Sequence, residues 1–257
     1  MLISVILFIF GAIIGSFLNV CIWRMPREES VVAGRSHCPN CRKTIPWYDN
    51  IPFLSYVFLG RRCRFCQSKI SFRYFLVELL TALTYLAVYF KFGLSIEYLI
   101  FIALISALIA ATFIDFSHQI IPDEITLGGI VIGLLISFFY PPLHSETTNF
   151  ASLFASVKGL LAGGVSIYAI GKLGELMFKK ESMGGGDVKF LAMIGTILGW
   201  QKTLLIFFIS PVFGSIVGLI AKFKYKQDII PYGPYLSIGT IAAIFWGEKL
   251  LSLLLVY

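Results

Sequence analysis

The chain contains 257 residues, of which 58% are hydrophobic and only 14% are charged, and its mean hydropathy is +0.85. One soluble core does not require so much apolar surface. This composition therefore excludes an ordinary soluble protein and indicates a helical protein that crosses a membrane several times. The formal net charge of +7 does not indicate nucleic-acid binding, because the basic residues cluster between apolar stretches. We expect a lipid bilayer, and no nucleic acid, as a partner.

Apolar stretches of helical length recur along the whole chain. The first, from Met1 to Trp23, has no basic n-region and no clear cleavage site, so we interpret it as a retained span. The pattern predicts an all-α polytopic membrane protein of about eight transmembrane helices, the sixth too short to cross alone. They are 2–23, 74–91, 97–114, 124–140, 151–171, 188–200, 203–221 and 235–256. We predict three parts, namely the first helix, a small insert at 24–73 and a core at 74–257.

Lysine and arginine are distributed unequally between the two ends of these spans. With eight spans, 17 of the 21 basic residues fall on one side, and ten of them lie in the insert. The positive-inside rule assigns that side to the cytoplasm and places both termini outside. The insert is then cytoplasmic.

The insert contains two pairs of cysteines, Cys38 with Cys41 and Cys63 with Cys66, each pair separated by two residues. Paired C-x2-C knuckles are typical of zinc ribbons, in which four thiolates hold a tetrahedral ion. Disulfides are disfavoured in a reducing cytosol, and metal binding would supply folding free energy to so small a segment. We predict a structural zinc ion. His37 is either a substitute ligand or, as we favour, a solvated loop residue.

Two carboxylates lie at the cytoplasmic ends of predicted spans. Asp115 ends the third span, and Asp187 follows Gly184-Gly185-Gly186 and opens the sixth. An ionisable residue at membrane depth is costly and indicates function. Two carboxyl groups brought together do not both ionise readily, so one can take a proton from water while its protonated partner hydrogen-bonds a scissile carbonyl. The pair predicts peptide hydrolysis of the aspartyl type.

The carboxylates also have structural interpretations. Asp187 could act only as a helix cap, because Asp and Gly both favour that position. Asp115 lies at a helix C-terminus, where the macrodipole disfavours an anion, so we interpret it as functional. Asp123 and Glu124 begin a helix, where an anion is favourable, and are interpreted as structural. Glycines 184–186 with Lys189 do not have the spacing of a phosphate-binding loop.

Asn19 and Glu78 are polar residues within predicted spans. One interpretation is hydrogen bonding between helices. The other is a small-molecule pocket near the cytoplasmic edge. Cys21, in the first span, is interpreted as a small apolar packing residue rather than as a metal ligand.

Several further motifs occur together in the chain. They are Gly15-Ser16-Phe17-Leu18-Asn19-Val20, Arg24-Met25-Pro26, the cysteine segments 35–41 and 60–66, Ile114-Asp115, Ile121-Pro122-Asp123, Met183 to Lys189, and Pro231-Tyr232-Gly233-Pro234-Tyr235. Through these motifs the chain resembles the bacterial prepilin peptidases, the leader peptidases of type IV pilus, type II secretion and competence systems. Phe75 stands where that family often has proline, and Tyr232 and Tyr235 stand where phenylalanine is usual.

The resemblance implies an intramembrane aspartyl protease of the GxGD type in the bacterial inner membrane, with Asp115 and Asp187 as the catalytic pair. Prepilins and pseudopilins would be its substrates. Each would lose a short basic leader at the cytoplasmic face. Substrate binding is assigned to Gly184, Gly185, Gly186 and Lys189.

The resemblance also implies a second activity, N-methylation of the new N-terminal residue with S-adenosylmethionine. Composition and spacing contain no methyltransferase motif, so this activity is implied by the resemblance alone. Asn19 and Glu78 are the candidate residues for binding the methyl donor.

Two other classes of protein are open alternatives. A carboxylate-dependent transporter predicts carboxylates near mid-bilayer on broken helices, whereas both aspartates fall at one face. A zinc-bearing scaffold for pilus or secretion assembly predicts that replacing both aspartates by asparagine leaves function intact.

Overall fold

The computed structural model describes residues 1–179, 183–225 and 231–255. Within these ranges the chain is helical and forms no β-strand longer than an isolated bridge. The helices are α1 (Leu2–Arg24), α2 (Leu54–Phe58), α3 (Phe72–Phe92), α4 (Ile96–His118), α5 (Asp123–Phe139), α6 (Asn149–Phe178), α7 (Gly185–Tyr225) and α8 (Gly233–Leu255). The predicted all-α fold class is confirmed.

Six helices in the described ranges are long and apolar enough to cross a bilayer. They are Leu2–Arg27, Phe72–Phe92, Ile96–His118, Asn149–Met177, Gly185–Ile216 and Gly233–Leu253. α5 is apolar but has only 17 residues. The predicted spans 188–200 and 203–221 both lie in α7, whose backbone leaves the helical conformation at Gly199 (φ 76°, ψ 168°). Glycine adopts such a φ at low cost. Divided there, α7 supplies two of the eight predicted apolar helices.

Several helix bounds differ from those predicted. α4 continues to His118, so Asp115 lies within its last turn and not at its end. α6 continues to Phe178, seven residues beyond the predicted 171. Residue 256, the predicted end of the last span, lies outside the described residues, as do Lys180 and Lys226, two of the basic residues predicted to be cytoplasmic.

The helix ends follow from local sequence. The Thr148 hydroxyl accepts a hydrogen bond from the Ala151 N–H and caps the start of α6. Gly93, with φ 64°, ends α3. Pro122 precedes α5 and Pro141 follows it. Proline has no N–H to continue a helical hydrogen-bond pattern, so it is tolerated at such boundaries.

The chain divides into two compact units, Met1–Ala110 and Ala111–Tyr257. In the first unit α1 packs along α3. The insert joins this unit through Phe53, whose ring stacks on Phe8 of α1 and meets Phe75 of α3 edge-on.

In the second unit α5, α6 and α8 all pack against α7. The approach of α6 to α7 depends on small residues, because a Cβ on Gly159 would overlap the Gly195 carbonyl and one on Gly163 would overlap the Leu191 carbonyl. Buried hydroxyls of this unit are paired across the same contact, as the Ser156 hydroxyl donates to the Thr196 carbonyl at 2.7 Å. Such pairing is required where no water can satisfy a polar group.

Candidate active site and metal centre

Asp115 lies in the last turn of α4 and is almost fully buried, with 5% of its surface exposed. Its Oδ2 accepts a hydrogen bond from the backbone N–H of Gly233, the first residue of α8, at 2.9 Å. A hydrogen bond to an ionised acceptor offsets part of the cost of burying a carboxylate. The contact joins the end of α4 to the start of α8.

The position that faces Asp115 leaves too little room for a side chain unless Asp115 moves. An ideal Cβ on Gly233 would lie 2.8 Å from Asp115 Oδ2 and 3.2 Å from Ile121 Cδ1. Sequence reasoning missed this role, since the contact joins residues 118 positions apart. The available signal was a glycine at the start of an apolar helix, between Tyr232 and Pro234.

Asp187 lies in the first turn of α7 and is partly buried. Its N–H donates to the Gly184 carbonyl at 3.1 Å, and its carboxylate faces the Gly184 backbone amide. Asp187 is therefore the third residue of α7, and its carboxyl group reaches back to the residue before the helix, as in one half of a capping box. It is not itself the cap residue that the structural interpretation predicted. The same carboxyl group is also near enough to Asp115 to interact with it electrostatically. The structure thus brings the two aspartates together, and their catalytic roles stay predictions.

The three glycines before Asp187 have different surroundings. A Cβ on Gly185 would meet no described atom within 4 Å, whereas one on Gly186 would touch Ile121 at 3.4 Å. Lys189, one turn later, forms an ion pair with Asp123 at 2.6 Å. Because this pair occupies the Lys189 ammonium group, the assignment of Lys189 to substrate binding is based only on the motif.

The four insert cysteines form one cluster. Their Sγ atoms all lie within 4.8 Å of one another, and no other such group of metal-binding side chains occurs in the described ranges. His37 lies outside this group. Four thiolates at this spacing match the donor set of a structural zinc site, so the residues fit the predicted ion.

Each cysteine pair is held by the same backbone pattern. The Cys38 N–H donates to Lys43 O and the Cys63 N–H to Ser68 O, at 3.0 and 2.9 Å. The residue after each second cysteine, Arg42 or Gln67, has φ 57°. These turns aim both thiols of each pair inward. The Ser68 hydroxyl and amide lower the pKa of Cys66 to about 6, which favours the thiolate that a metal requires.

Two family models match the chain. The model for the bacterial peptidase A24 N-terminal domain covers residues 9–92, and the model for the type IV leader peptidase family covers 102–219. A prepilin leader peptidase/N-methyltransferase of Pseudomonas putida is 34% identical over 270 residues, which covers 94% of this chain and 90% of that relative. The chain belongs to the type IV leader peptidase family.

Other leader peptidases are similarly related to this chain. The type 4 prepilin-like proteins leader peptide-processing enzyme of Escherichia coli is 38% identical over 91% of each chain. The prepilin leader peptidase/N-methyltransferase of Myxococcus xanthus is 38% identical over 85% of this chain but only 63% of its own length. No solved structure matches the chain.

In this leader peptidase, Asn19 and Glu78 both make contacts within the first unit. Asn19 Nδ2 donates to the Tyr74 carbonyl at 3.0 Å, joining α1 to α3, as the structural interpretation predicted. Glu78 Oε2 accepts the Phe53 N–H at 2.9 Å and holds a residue of the insert that has φ 62°. Asn19 Oδ1 is buried and has no hydrogen-bond partner in the described ranges.

Proposed function

We propose that this protein cleaves the basic leader from type IV prepilins and pseudopilins and then methylates the new N-terminus. The observation that carries the proposal is the meeting of Asp115 and Asp187 at the ends of α4 and α7 in a chain of the leader peptidase family. Relatives that match nearly the whole chain are named for both activities.

The proposed hydrolysis uses the two carboxyl groups as one acid–base pair. The ionised carboxylate takes a proton from water, and the resulting hydroxide equivalent adds to the scissile carbonyl carbon while the protonated partner donates a hydrogen bond to the carbonyl oxygen. The C–N bond then breaks, and the amine leaves with a proton from the pair. Asp115 Oδ2 already accepts the Gly233 N–H, so its other oxygen is the one left to face water or substrate.

We propose the cytoplasmic membrane face as the place of cleavage. The charge distribution assigns the insert, the end of α4 and the start of α7 to the cytoplasm, with both termini outside. A prepilin has its basic leader on that side and its apolar helix in the membrane. No described atom lies within 4 Å of a Cβ built on Gly185, and glycine carries no side chain, so a substrate backbone can approach closely there.

We propose Asn19 and Glu78 as residues that bind S-adenosylmethionine, which supplies the methyl group when bound. Asn19 Oδ1 fits this role, because it is a buried acceptor without a partner in the described part of the chain. Asn19→Ala is expected to weaken donor binding in a calorimetric titration. If Asn19→Ala binds the donor as tightly as wild type, Asn19 is not a donor-binding residue.

We also propose that the four cysteines bind zinc as a structural ion. No cysteine of this cluster takes part in the proposed proton transfers. The ion would join the two turns of the insert, whose described part contains few buried apolar side chains.

A cleavage assay with a synthetic prepilin leader peptide tests the function. Purified protein in detergent is incubated with the peptide, with and without S-adenosylmethionine, and the products are read by mass spectrometry. We expect cleavage in both samples and a methylated product only with the donor. A folded, metal-loaded protein that cuts none of several leaders would contradict the proposal and favour the scaffold alternative. Cleavage without any ion gradient would exclude the transporter.

A further inference from the structure

Tyr232 lies beside the contact that holds Asp115. It directly precedes Gly233, and its carbonyl accepts the N–H groups of Tyr235 and Leu236 at 3.0 and 3.2 Å. These bonds fix its backbone at the start of α8. The side chain therefore extends from the same short segment that positions Asp115.

The Tyr232 hydroxyl is buried and has no hydrogen-bond partner among the described residues. Buried polar atoms nearly always have a partner, and one without a partner calls for a physical reason. The position of segment 231–233 supplies such a reason. The segment lies next to the aspartates, and a bound substrate would bring a hydrogen-bond acceptor to the Tyr232 hydroxyl.

The chemical state of this hydroxyl follows from its surroundings. Burial, and secondly the nearby Asp187 carboxylate, raise the pKa of Tyr232 to about 12. The hydroxyl therefore keeps its proton throughout the neutral range. It can donate a hydrogen bond to any acceptor that comes within reach.

We propose that the Tyr232 hydroxyl donates a hydrogen bond to the scissile carbonyl oxygen as water adds to the carbonyl carbon. The inference depends on the proposed leader cleavage at Asp115 and Asp187. A donor that is fixed before substrate arrives, in a site that excludes water, stabilises negative charge as it develops on that oxygen. The two aspartates carry the proton transfers, and the hydroxyl adds to the rate of that reaction.

Tyr232→Phe tests the proposal because it removes one oxygen and keeps the ring. We expect kcat for leader cleavage to fall about tenfold, as for the loss of one neutral hydrogen bond, with KM within about twofold of wild type. The fall should be equal at every pH, since the hydroxyl does not titrate in the assay range. A shift in the midpoint of the pH profile would instead mean that Tyr232 acts through Asp187, and would overturn the proposal.

Tyr98→Phe is the matched control, because the Tyr98 hydroxyl is also buried without a partner in the described ranges. Both variants lose an unsatisfied buried group, so both should unfold at or above the wild-type temperature. Only Tyr232→Phe should cleave the leader more slowly, and Tyr98→Phe should cleave it at the wild-type rate. If wild type cleaves the leader, Asp187→Asn does not, and Tyr232→Phe has an unchanged kcat, then the inference about Tyr232 is wrong and the proposed function stands. Failure of wild type to cut any leader overturns the proposed function itself.

Discussion

Asp115 and Asp187 are held by different local means. Asp115 is fixed by an amide from a distant segment, whereas Asp187 is fixed by the start of its own helix. The N-terminus of α7 is also a position at which a carboxyl group is favourable. The capping contact of Asp187 and its catalytic interpretation are therefore compatible, because one carboxyl group has two oxygens.

Gly233→Ala is predicted to reduce leader cleavage about a hundredfold, because a Cβ 2.8 Å from Asp115 Oδ2 forces the carboxylate to move. Initial rates of peptide cleavage measure the effect. Gly128→Ala is the control, since a Cβ there meets no described atom within 4 Å. Equal rates in the two variants would show that Asp115 tolerates a side chain at position 233.

The two aspartates could be selected from sequence because a carboxylate at the edge of an apolar stretch is costly wherever the helices lie. Gly233 and Tyr232 could not be selected in this way. The role of Gly233 depends on a backbone amide that contacts a residue of another helix. The role proposed for Tyr232 depends on a buried hydroxyl near the Asp187 carboxylate. No local pattern specifies such a meeting.

At the scale of helices, hydropathy predicted the apolar segments and the division of α7. The predicted spans end at 200 and resume at 203, close to Gly199, where the backbone leaves the helical conformation. Hydropathy missed the last turn of α4, which carries Phe116, Ser117 and His118. Ser117 and His118 are polar and do not continue the apolar pattern.

The contact of α6 with α7 is predicted to be sensitive to single methyl groups. Gly163→Ala should destabilise the protein by about 1–3 kcal/mol, because its Cβ would overlap the Leu191 carbonyl and the helices must separate. Thermal unfolding in detergent provides the measurement. Gly164→Ala on the same helix is the control, since its Cβ would make an ordinary contact with Ala192 at 3.6 Å. Equal destabilisation by both variants would contradict this account of the packing.

At the scale of the whole molecule, the chain combines a metal-binding insert with a helical membrane protein. The cysteine cluster could be predicted because each C-x2-C turn is local and its spacing alone brings two thiols together. The side of the membrane on which the insert lies is a prediction from charge. It depends on all the spans being assigned together.

Cys38→Ser is predicted to lose bound zinc and to lower the unfolding temperature of the insert, because three thiolates bind the ion more weakly than four. Metal analysis of the purified protein and thermal unfolding measure the two effects. Cys21→Ala is the matched control, since Cys21 lies buried in α1 outside the cluster. Full zinc content in Cys38→Ser would contradict the ligand assignment.

The most direct test of the central claim is the rate of leader cleavage by Asp115→Asn and Asp187→Asn, with Asp123→Asn as the control. Asparagine keeps the size of the side chain and removes the acid–base chemistry. We predict that each of the first two variants loses activity about a thousandfold or more, with unchanged zinc content and unfolding temperature. Asp123→Asn, which loses the exposed ion pair with Lys189 and a charge at the start of α5, should cut within a few-fold of wild type. Retained cleavage in either of the first two variants would contradict the two-aspartate mechanism.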